Sequence, residues 1–311
     1  MSLREPSPAI PLVVLALSLI VAACGAAGDG ANGPTAVPGA MKVVATTTVL
    51  ADLVREVGGG LVSVESLVPK GGEVHTFDPT PAAVQRVAQA SLIVANGLGL
   101  DDWLTAVAAD AGTGAPVVRL AEGLPGVTYL TGGAAGGAAN PHLWLNVAYA
   151  SKYVDRIEAA LATADPPNAA AYRTNADAYR TRLAALDTDI RNRIEALPAA
   201  SRVVVSFHDA FPYFAAAYGL TVVGSIVDSP GQDPSAGTIA DLVTKIRASG
   251  AKAIFAEVQF SPKLAETIGG ETGATVVTDL YTDSVGDAPA DTYEGMMRSN
   301  ADRVVGALSG G

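Results

Sequence analysis

The sequence has little of what several classes of protein require. It contains one cysteine in 311 residues, so no intramolecular disulfide can form and stability must come from core packing or a bound ligand. Lysine and arginine number 20 against 31 aspartates and glutamates, and the resulting net charge of -11 argues against a nucleic-acid partner. Hydrophobic residues make up 49% of the chain, enough for a substantial core. The length predicts two lobes or one large domain.

No apolar run is long enough to cross a membrane, and the 14-residue run near the N-terminus predicts export instead. Residues 10–23 are apolar, but 14 residues are too few to cross a bilayer and suit the core of a signal peptide. The sequence VAAC then resembles a bacterial lipobox, in which the thiol, here Cys24, is lipidated and becomes the first mature residue. The alternative is an ordinary secretory signal with an incidental cysteine. We predict a signal peptide over 1–23 and a flexible Gly, Ala and Pro tether over 24–40.

The rest of the chain shows an α/β pattern. Short apolar runs separated by helical stretches predict parallel strands covered on both faces, at 42–47, 61–68, 91–96, 116–120, 202–208, 220–227, 251–258 and 274–281. From Tyr172 to Leu197 apolar residues recur at spacings of three and four, which predicts a long amphipathic helix. We therefore expect two similar α/β lobes with parallel sheets, residues 41–168 and 199–311, joined by a rigid helix over 169–198. A single large α/β enzyme domain is the alternative.

Three histidines are the candidate ligands of a metal. His75, His142 and His208 each lie at or just after an apolar run. Because ligands bind at the carboxyl ends of parallel strands, we expect all three at the same edge of their sheets. A lone histidine in such a place is more often a hydrogen-bonded or surface residue. Three in a histidine-poor chain instead predict a zinc site, since imidazole is the commonest nitrogen donor for zinc.

A carboxylate or a water has to fill the fourth position. Asp279 lies within its predicted strand and Asp283 just beyond it, so Asp283 better matches a ligand at a strand end. The alternative for Asp283 is a turn or helix-capping residue. Two ligands from each lobe would place the ion between the lobes. Glu257 and Asp279 are candidates for carboxylates that hold an imidazole ligand in place.

Five segments carry a resemblance to a known family: residues 75–104, 140–146, 204–220, 253–277 and 280–300. Together they resemble the metal-binding solute-binding lipoproteins of ABC transporters, the zinc and manganese uptake family, over nearly all of 42–311. The resemblance implies two α/β lobes bridged by a rigid helix, with the metal held in the cleft by His75, His142, His208 and Asp283. In manganese members a carboxylate typically takes the third position, so His208 indicates a zinc-type member. Nitrogen donors also favour zinc over manganese on chemical grounds.

The sequence departs from that family at several places. Zinc members often carry a long loop rich in histidine and acidic residues before the second ligand, whereas residues 131–140 here are mostly glycine and alanine without a metal donor. We therefore expect no role for this loop in gathering metal. Phe77 replaces a common tyrosine, Asn140 replaces a common aspartate, and the cysteine pair of some zinc members is missing.

The predicted function is that of a monomeric, lipid-anchored receptor on the outer face of the cell membrane that binds Zn²⁺ and delivers it to an ABC permease. It is not expected to be an enzyme. The alternatives are a Mn²⁺ receptor of the same family and a zinc hydrolase, because three histidines and a water form a hydrolytic site. Against a hydrolase, Asp283 as fourth ligand leaves no water to activate, and the sequence contains no H-E-x-x-H motif. The residues neither support nor oppose a role as an adhesin.

Overall fold

The computed structural model describes residues 1–2, 39–131 and 137–310. The predicted signal peptide beyond residue 2, Cys24, most of the tether and residues 132–136 of the glycine and alanine loop lie outside the described residues. The described residues from Gly39 onward belong to one compact unit. In the described ranges, no helix has both the length and the apolar character needed to span a membrane.

The first lobe contains a four-stranded parallel sheet. Its strands are β1 (Met41–Ala45), β2 (Val62–Ser66), β3 (Leu92–Ala95) and β4 (Val117–Arg119), in the order β2-β1-β3-β4. The connecting helices are α1 (Thr48–Gly58), α2 (Pro81–Gln89) and α3 (Leu104–Ala111). All four residues of β3 are buried, as expected of a strand covered on both faces.

The second lobe repeats this arrangement. Its strands are β5 (Val203–Ser206), β6 (Thr221–Ser225), β7 (Ala253–Glu257) and β8 (Thr275–Leu280), all parallel and in the order β6-β5-β7-β8. In both sheets, the first strand in sequence lies between the second and the third. The helices are α6 (Pro212–Tyr218), α7 (Ala236–Ser249), α8 (Lys263–Thr272) and α9 (Tyr293–Ser309). The eight predicted strands and the two-lobe α/β fold are thus confirmed.

Two long helices, α4 (Val147–Ala164) and α5 (Ala169–Glu195), lie between the sheets in sequence. The helix α5 is the predicted linking helix, and the apolar positions that predicted it, from Tyr172 to Leu197, are buried. It packs against α1 and α4 of the first lobe and against α6 and α9 of the second. Pro198 follows it, and a proline cannot continue a helix. Because α5 contacts helices of both lobes, it supports them as a common spine.

The loop after β8 is hydrogen-bonded to the first lobe. The indole nitrogen of Trp144 donates to the carbonyl oxygen of Thr282 at 2.7 Å. The backbone nitrogen of Gly71 donates to Oγ of Ser284 at 2.9 Å, and that of Val285 donates to Oγ1 of Thr48 at 3.0 Å. The chain on both sides of residue 283 is therefore held against the first lobe.

Candidate metal centre

The structure brings the three histidines and Asp283 together. One nitrogen of each imidazole and one oxygen of Asp283 all lie within 4.8 Å of one another. Nε2 of His142 is 3.3 Å from Nε2 of His75 and 3.3 Å from Nε2 of His208. Oxygens of Asp283 lie 3.4 Å, 3.6 Å and 3.9 Å from Nε2 of His142, His208 and His75. Four donors from distant parts of the chain thus face a common point.

The spacing of these donors suits a small divalent cation. Four tetrahedral ligands about 2.0–2.1 Å from a zinc ion lie about 3.3 Å from one another. The two nitrogen–nitrogen distances of 3.3 Å match this edge length, and the shortest nitrogen–oxygen distance of 3.4 Å is close to it. The other two nitrogen–oxygen distances, 3.6 Å and 3.9 Å, are longer than this edge. The donor types are those of a three-histidine, one-carboxylate site, and the closest of them already have its spacing.

His75 and His142 reach the cluster from loops of the first lobe. His75 follows β2, and its backbone nitrogen donates to Oε1 of Glu73 at 2.8 Å. His142 directly precedes the 3₁₀ helix Leu143–Leu145, and Oδ1 of Asn140 lies 3.0 Å from both its backbone nitrogen and its Nδ1. Within the described residues 137–142 no strand runs into His142, so the expectation that all three histidines follow strands is wrong for this one. A loop turn, rather than a strand end, positions it.

His208 and Asp283 come from the second lobe, just after β5 and β8. Nδ1 of His208 lies 2.9 Å from Oε1 of Glu257 at the end of β7. Nε2 of Gln259 donates to Oδ2 of Asp283 at 3.3 Å. Glu257 therefore contacts an imidazole as predicted from the sequence, which did not identify Gln259.

Asp279 does not have the role that the sequence suggested. Its side chain is exposed, and its Oδ2 lies 2.6 Å from Nη2 of Arg303. Its neighbour Leu280 is buried, and because successive side chains of a strand point to opposite faces, Asp279 points away from that core. The prediction that Asp279 holds an imidazole ligand is wrong.

Burial and nearby charges separate the pKa values of the cluster. Burial, together with the charge of His208, lowers the pKa of His75 to about 3 and that of His142 well below its usual value. Burial also opposes protonation of His208, but the charge and hydrogen bond of Glu257 outweigh it and raise the pKa of His208 to about 9. Burial raises the pKa of Asp283, and the charge of His208 opposes that rise. His208 is thus the imidazole of the three that binds a proton most readily.

Several carboxylate oxygens around the cluster are buried and unpaired. Within the described residues, Oδ1 of Asp283, Oε2 of Glu257 and Oε2 of Glu73 have no hydrogen-bond partner. Buried polar atoms in folded proteins nearly always have one. The shortage of donors around these oxygens indicates that a cation belongs in this part of the molecule.

One side of the cluster opens to solvent. A cavity of about 230 Å³ is lined by His75 and His142 at one end and includes Leu98, Asp209 and Asp228. The side chain of His75 is 14% exposed, whereas those of the other two histidines are almost completely covered. Leu98 has a φ of 57°, a left-handed conformation that is uncommon for a leucine. Of the three histidines, His75 is therefore the one most open to solvent, and it lines this cavity together with His142.

Comparison with known proteins identifies the family. Residues 43–307 match the family described as "ZnuA: Zinc-uptake complex component A periplasmic", and the chain belongs to it. It is 31% identical over 299 residues to the manganese-binding lipoprotein MntA of Halalkalibacterium halodurans, covering 96% of this chain and 97% of MntA. It is 28% identical over 298 residues to the iron ABC transporter substrate-binding lipoprotein MtsA of Streptococcus pyogenes serotype M1, covering 93% of this chain and 94% of MtsA.

A solved structure supports the same assignment. The periplasmic zinc-binding protein TroA from Treponema pallidum aligns with a TM-score of 0.79 and 29% identity, over 87% of this chain and 99% of TroA. The fold, the cluster and the family together define an extracytoplasmic metal-binding protein that serves an ABC importer. Members of the family are substrate-binding proteins and not enzymes, which gives the hydrolase alternative no support. The relatives are named for manganese, iron and zinc, so the family alone does not select the ion.

Proposed function

We propose that the protein captures Zn²⁺ with His75, His142, His208 and Asp283 and delivers it to an ABC permease for import. The observation that carries this proposal is the approach of the four donors to within 4.8 Å of one another. Three of the distances between them, 3.3 Å, 3.3 Å and 3.4 Å, are close to the edge of a zinc tetrahedron. No water is needed to complete four-coordination. The bound ion is cargo, so a closed set of protein ligands serves the function.

The donor set supports zinc over manganese and iron. Three of the four donors are imidazole nitrogens, and the intrinsic stability order of divalent metals places zinc above iron and manganese. Charge also fits, because the two charges of the ion offset the negative charge of the buried carboxylates of Asp283 and Glu257 and of the nearby Glu73. Offsetting these charges limits the cost of keeping them away from water.

A Mn²⁺ receptor is the second candidate. The 31% identity to a relative named for manganese favours it. Against it, a manganese site is expected to be richer in oxygen donors than this cluster, which has one carboxylate among four donors. The ranking of the two candidates therefore depends on the third histidine, His208.

The proposal extends to the rest of the molecule. We place the membrane anchor on Cys24, followed by the tether over 24–40, and assign residues 41–168 and 199–311 to the lobes on either side of the linking helix. We also propose that the receptor acts as a monomer, since all four proposed ligands come from one chain and the site needs no second copy. Mass spectrometry of the protein purified from membranes tests the anchor, since a lipidated Cys24 would be the first residue.

Metal analysis of the purified protein tests the site. The wild type should retain about one equivalent of zinc, and competition titrations should rank zinc above manganese and iron(II). His142→Ala and Asp283→Asn should lose the bound metal, while Asp279→Asn, the same change on an exposed neighbour, should keep it. Equal metal content in Asp283→Asn and the wild type would remove Asp283 from the ligand set. A wild type that binds no divalent metal would refute the function.

A further inference from the structure

Two histidines of the cluster share a local arrangement. Asn140 lies two residues before His142, and Glu73 lies two residues before His75. Oδ1 of Asn140 accepts a hydrogen bond from the backbone nitrogen of His142 at 3.0 Å, and Oε1 of Glu73 accepts one from that of His75 at 2.8 Å. In both loops, the upstream side chain therefore fixes the backbone of the histidine.

The two arrangements differ at the imidazole. Oδ1 of Asn140 also lies 3.0 Å from Nδ1 of His142, and Nδ1 of His208 lies 2.9 Å from Glu257. In the described part of the chain, Nδ1 of His75 has no hydrogen-bond partner, and Oε2 of Glu73 is buried without one. Nδ1 of His75 and the buried, unpaired Oε2 of Glu73 thus belong to side chains two residues apart.

We propose that Glu73 is the positioning residue of His75, and that its Oε2 accepts the Nδ1 hydrogen of His75 when Nε2 of that imidazole binds the metal. This inference rests on the proposed function. An imidazole that binds through Nε2 carries its proton on Nδ1, and in metal sites this N–H nearly always donates to a carboxylate, a carbonyl or a water. Leaving Oε2 of Glu73 buried and unpaired would be unfavourable.

The chemistry of the side chain supports this assignment. At His142, a single amide oxygen serves both the backbone nitrogen and Nδ1, which demonstrates that a residue two positions upstream reaches both atoms. A carboxylate offers two oxygens, so Oε1 can keep the backbone nitrogen of His75 while Oε2 takes Nδ1. His75 is the most exposed of the three imidazoles, and it is the one whose ring most needs to be held for the ion.

Two other roles for Glu73 predict different results. In the first, Glu73 only ties down the backbone of residue 75 and has no effect on the imidazole. In the second, Oε2 of Glu73 binds the ion directly as an additional oxygen donor, which would favour a larger ion such as Mn²⁺ over Zn²⁺.

The test compares Glu73→Gln and Glu73→Asp with the wild type in the purified full chain. Glutamine keeps an oxygen for the backbone nitrogen of His75 but turns an amide N–H₂ toward Nδ1–H. Aspartate places a carboxylate where Asn140 stands relative to its own histidine. Glu65→Gln is the matched control, because Glu65 is exposed on β2. Zinc and manganese affinities are measured by competition with a chromophoric chelator. The unfolding midpoint of each metal-free protein shows whether the substitution has changed its stability.

We expect Glu73→Gln to weaken zinc binding roughly 10- to 100-fold, the usual effect of losing such a partner, with an unchanged metal-free midpoint. Glu73→Asp should recover most of the affinity, and Glu65→Gln should match the wild type. In NMR spectra of the zinc-loaded protein, one strongly hydrogen-bonded imidazole N–H should be present in the wild type and in Glu73→Asp and shifted in Glu73→Gln.

Three results would overturn the inference. In the first, Glu73→Gln binds zinc as tightly as the wild type. In the second, its loss of zinc affinity is matched by a lower unfolding midpoint of the metal-free protein. Either result would indicate that Glu73 only holds the backbone of residue 75. A selective loss of manganese binding with zinc binding unchanged would indicate a direct donor. If the wild type itself binds no divalent metal, the proposed function fails and the inference falls with it, so the wild-type titration separates the two failures.

Discussion

Nδ1 of His208 lies 2.9 Å from Oε1 of Glu257, and both side chains are buried. The pair joins the ends of two adjacent strands, β5 and β7, so the backbone of the sheet fixes its geometry. The carboxylate orients the ring so that Nε2 faces the other donors, and it makes that nitrogen a stronger base. A metal and a proton therefore compete for the same atom.

We expect Glu257→Gln to weaken zinc binding roughly 10- to 100-fold, because the amide lacks the charge that orients and polarises the imidazole. A competition titration with a chromophoric chelator measures the change. Glu266→Gln, the same substitution at an exposed position of α8, should have no effect. Equal affinities in the two variants would mean that Glu257 does not support His208 as a ligand.

The same pair sets the pH dependence of metal binding. The pKa of His208 is raised to about 9, whereas those of His75 and His142 are lowered, so His208 is the imidazole that must lose a proton to bind the ion. Apparent affinity should rise with pH up to about 9 and then level off. Competition at ordinary imidazole pKa values would instead place the loss of affinity near pH 6 to 7, roughly the range expected from the sequence alone.

Calorimetry in buffers of different ionisation enthalpy measures the protons released on binding. At about pH 8, zinc should displace about one proton from the wild type and fewer from Glu257→Gln, in which the pKa of His208 is no longer raised. Release close to zero in the wild type, with affinity constant above about pH 7, would contradict a protonated His208.

A substitution of His208 should change the relative affinities of the protein for zinc and manganese. In His208→Glu alone, the new carboxylate would lie against that of Glu257 and the two would repel. The informative variant is therefore His208→Glu combined with Glu257→Gln. Replacing a nitrogen donor by oxygen should lower zinc affinity more than manganese affinity. The measured quantity is the ratio of the two dissociation constants in competition titrations, with Glu257→Gln alone as the control. An unchanged ratio would remove the chemical basis for preferring zinc.

The fold was largely predictable because its signals are local. Each strand is a short apolar run that is separated from the next by a helical stretch or a turn. The spacing of three and four between apolar residues from Tyr172 to Ile194 defines one face of α5. The helix α4 carries the same local signal, because Val147, Ala150, Val154, Ile157 and Leu161 recur at spacings of three and four and are buried.

The site was predictable only in part. The rarity of histidine identified three members of the cluster, and position relative to a strand end selected Asp283 over Asp279. The partners of the imidazoles follow from three-dimensional proximity: Glu257 lies 49 residues from His208, and its role depends on β5 and β7 being neighbours. The side chains at 73 and 140 had a local signal, since each lies two residues before its histidine.

A stability effect is expected at Asp52 in α1, which is not one of the metal donors. This side chain is 6% exposed, and its Oδ2 accepts a hydrogen bond from the backbone nitrogen of Tyr293 at 2.7 Å. Burial, partly offset by that hydrogen bond, raises the pKa of Asp52 from 3.8 to about 6. Asp52→Asn keeps an oxygen for Tyr293 and removes the ionisation, so it should stabilise the protein at neutral pH.

The sign follows from linkage. Because the folded protein holds the proton more tightly than the unfolded chain, the contribution of Asp52 to stability is complete below about pH 4 and is lost as pH rises through about 6. At 1.36 kcal/mol for each unit of pKa, the loss is about 3 kcal/mol. Urea unfolding of the metal-free protein should therefore give Asp52→Asn an advantage that grows between about pH 4 and 6, while the exposed control Asp102→Asn should show none. An advantage independent of pH, or a less stable Asp52→Asn at about pH 8, would show that ionisation of this buried carboxyl does not oppose folding.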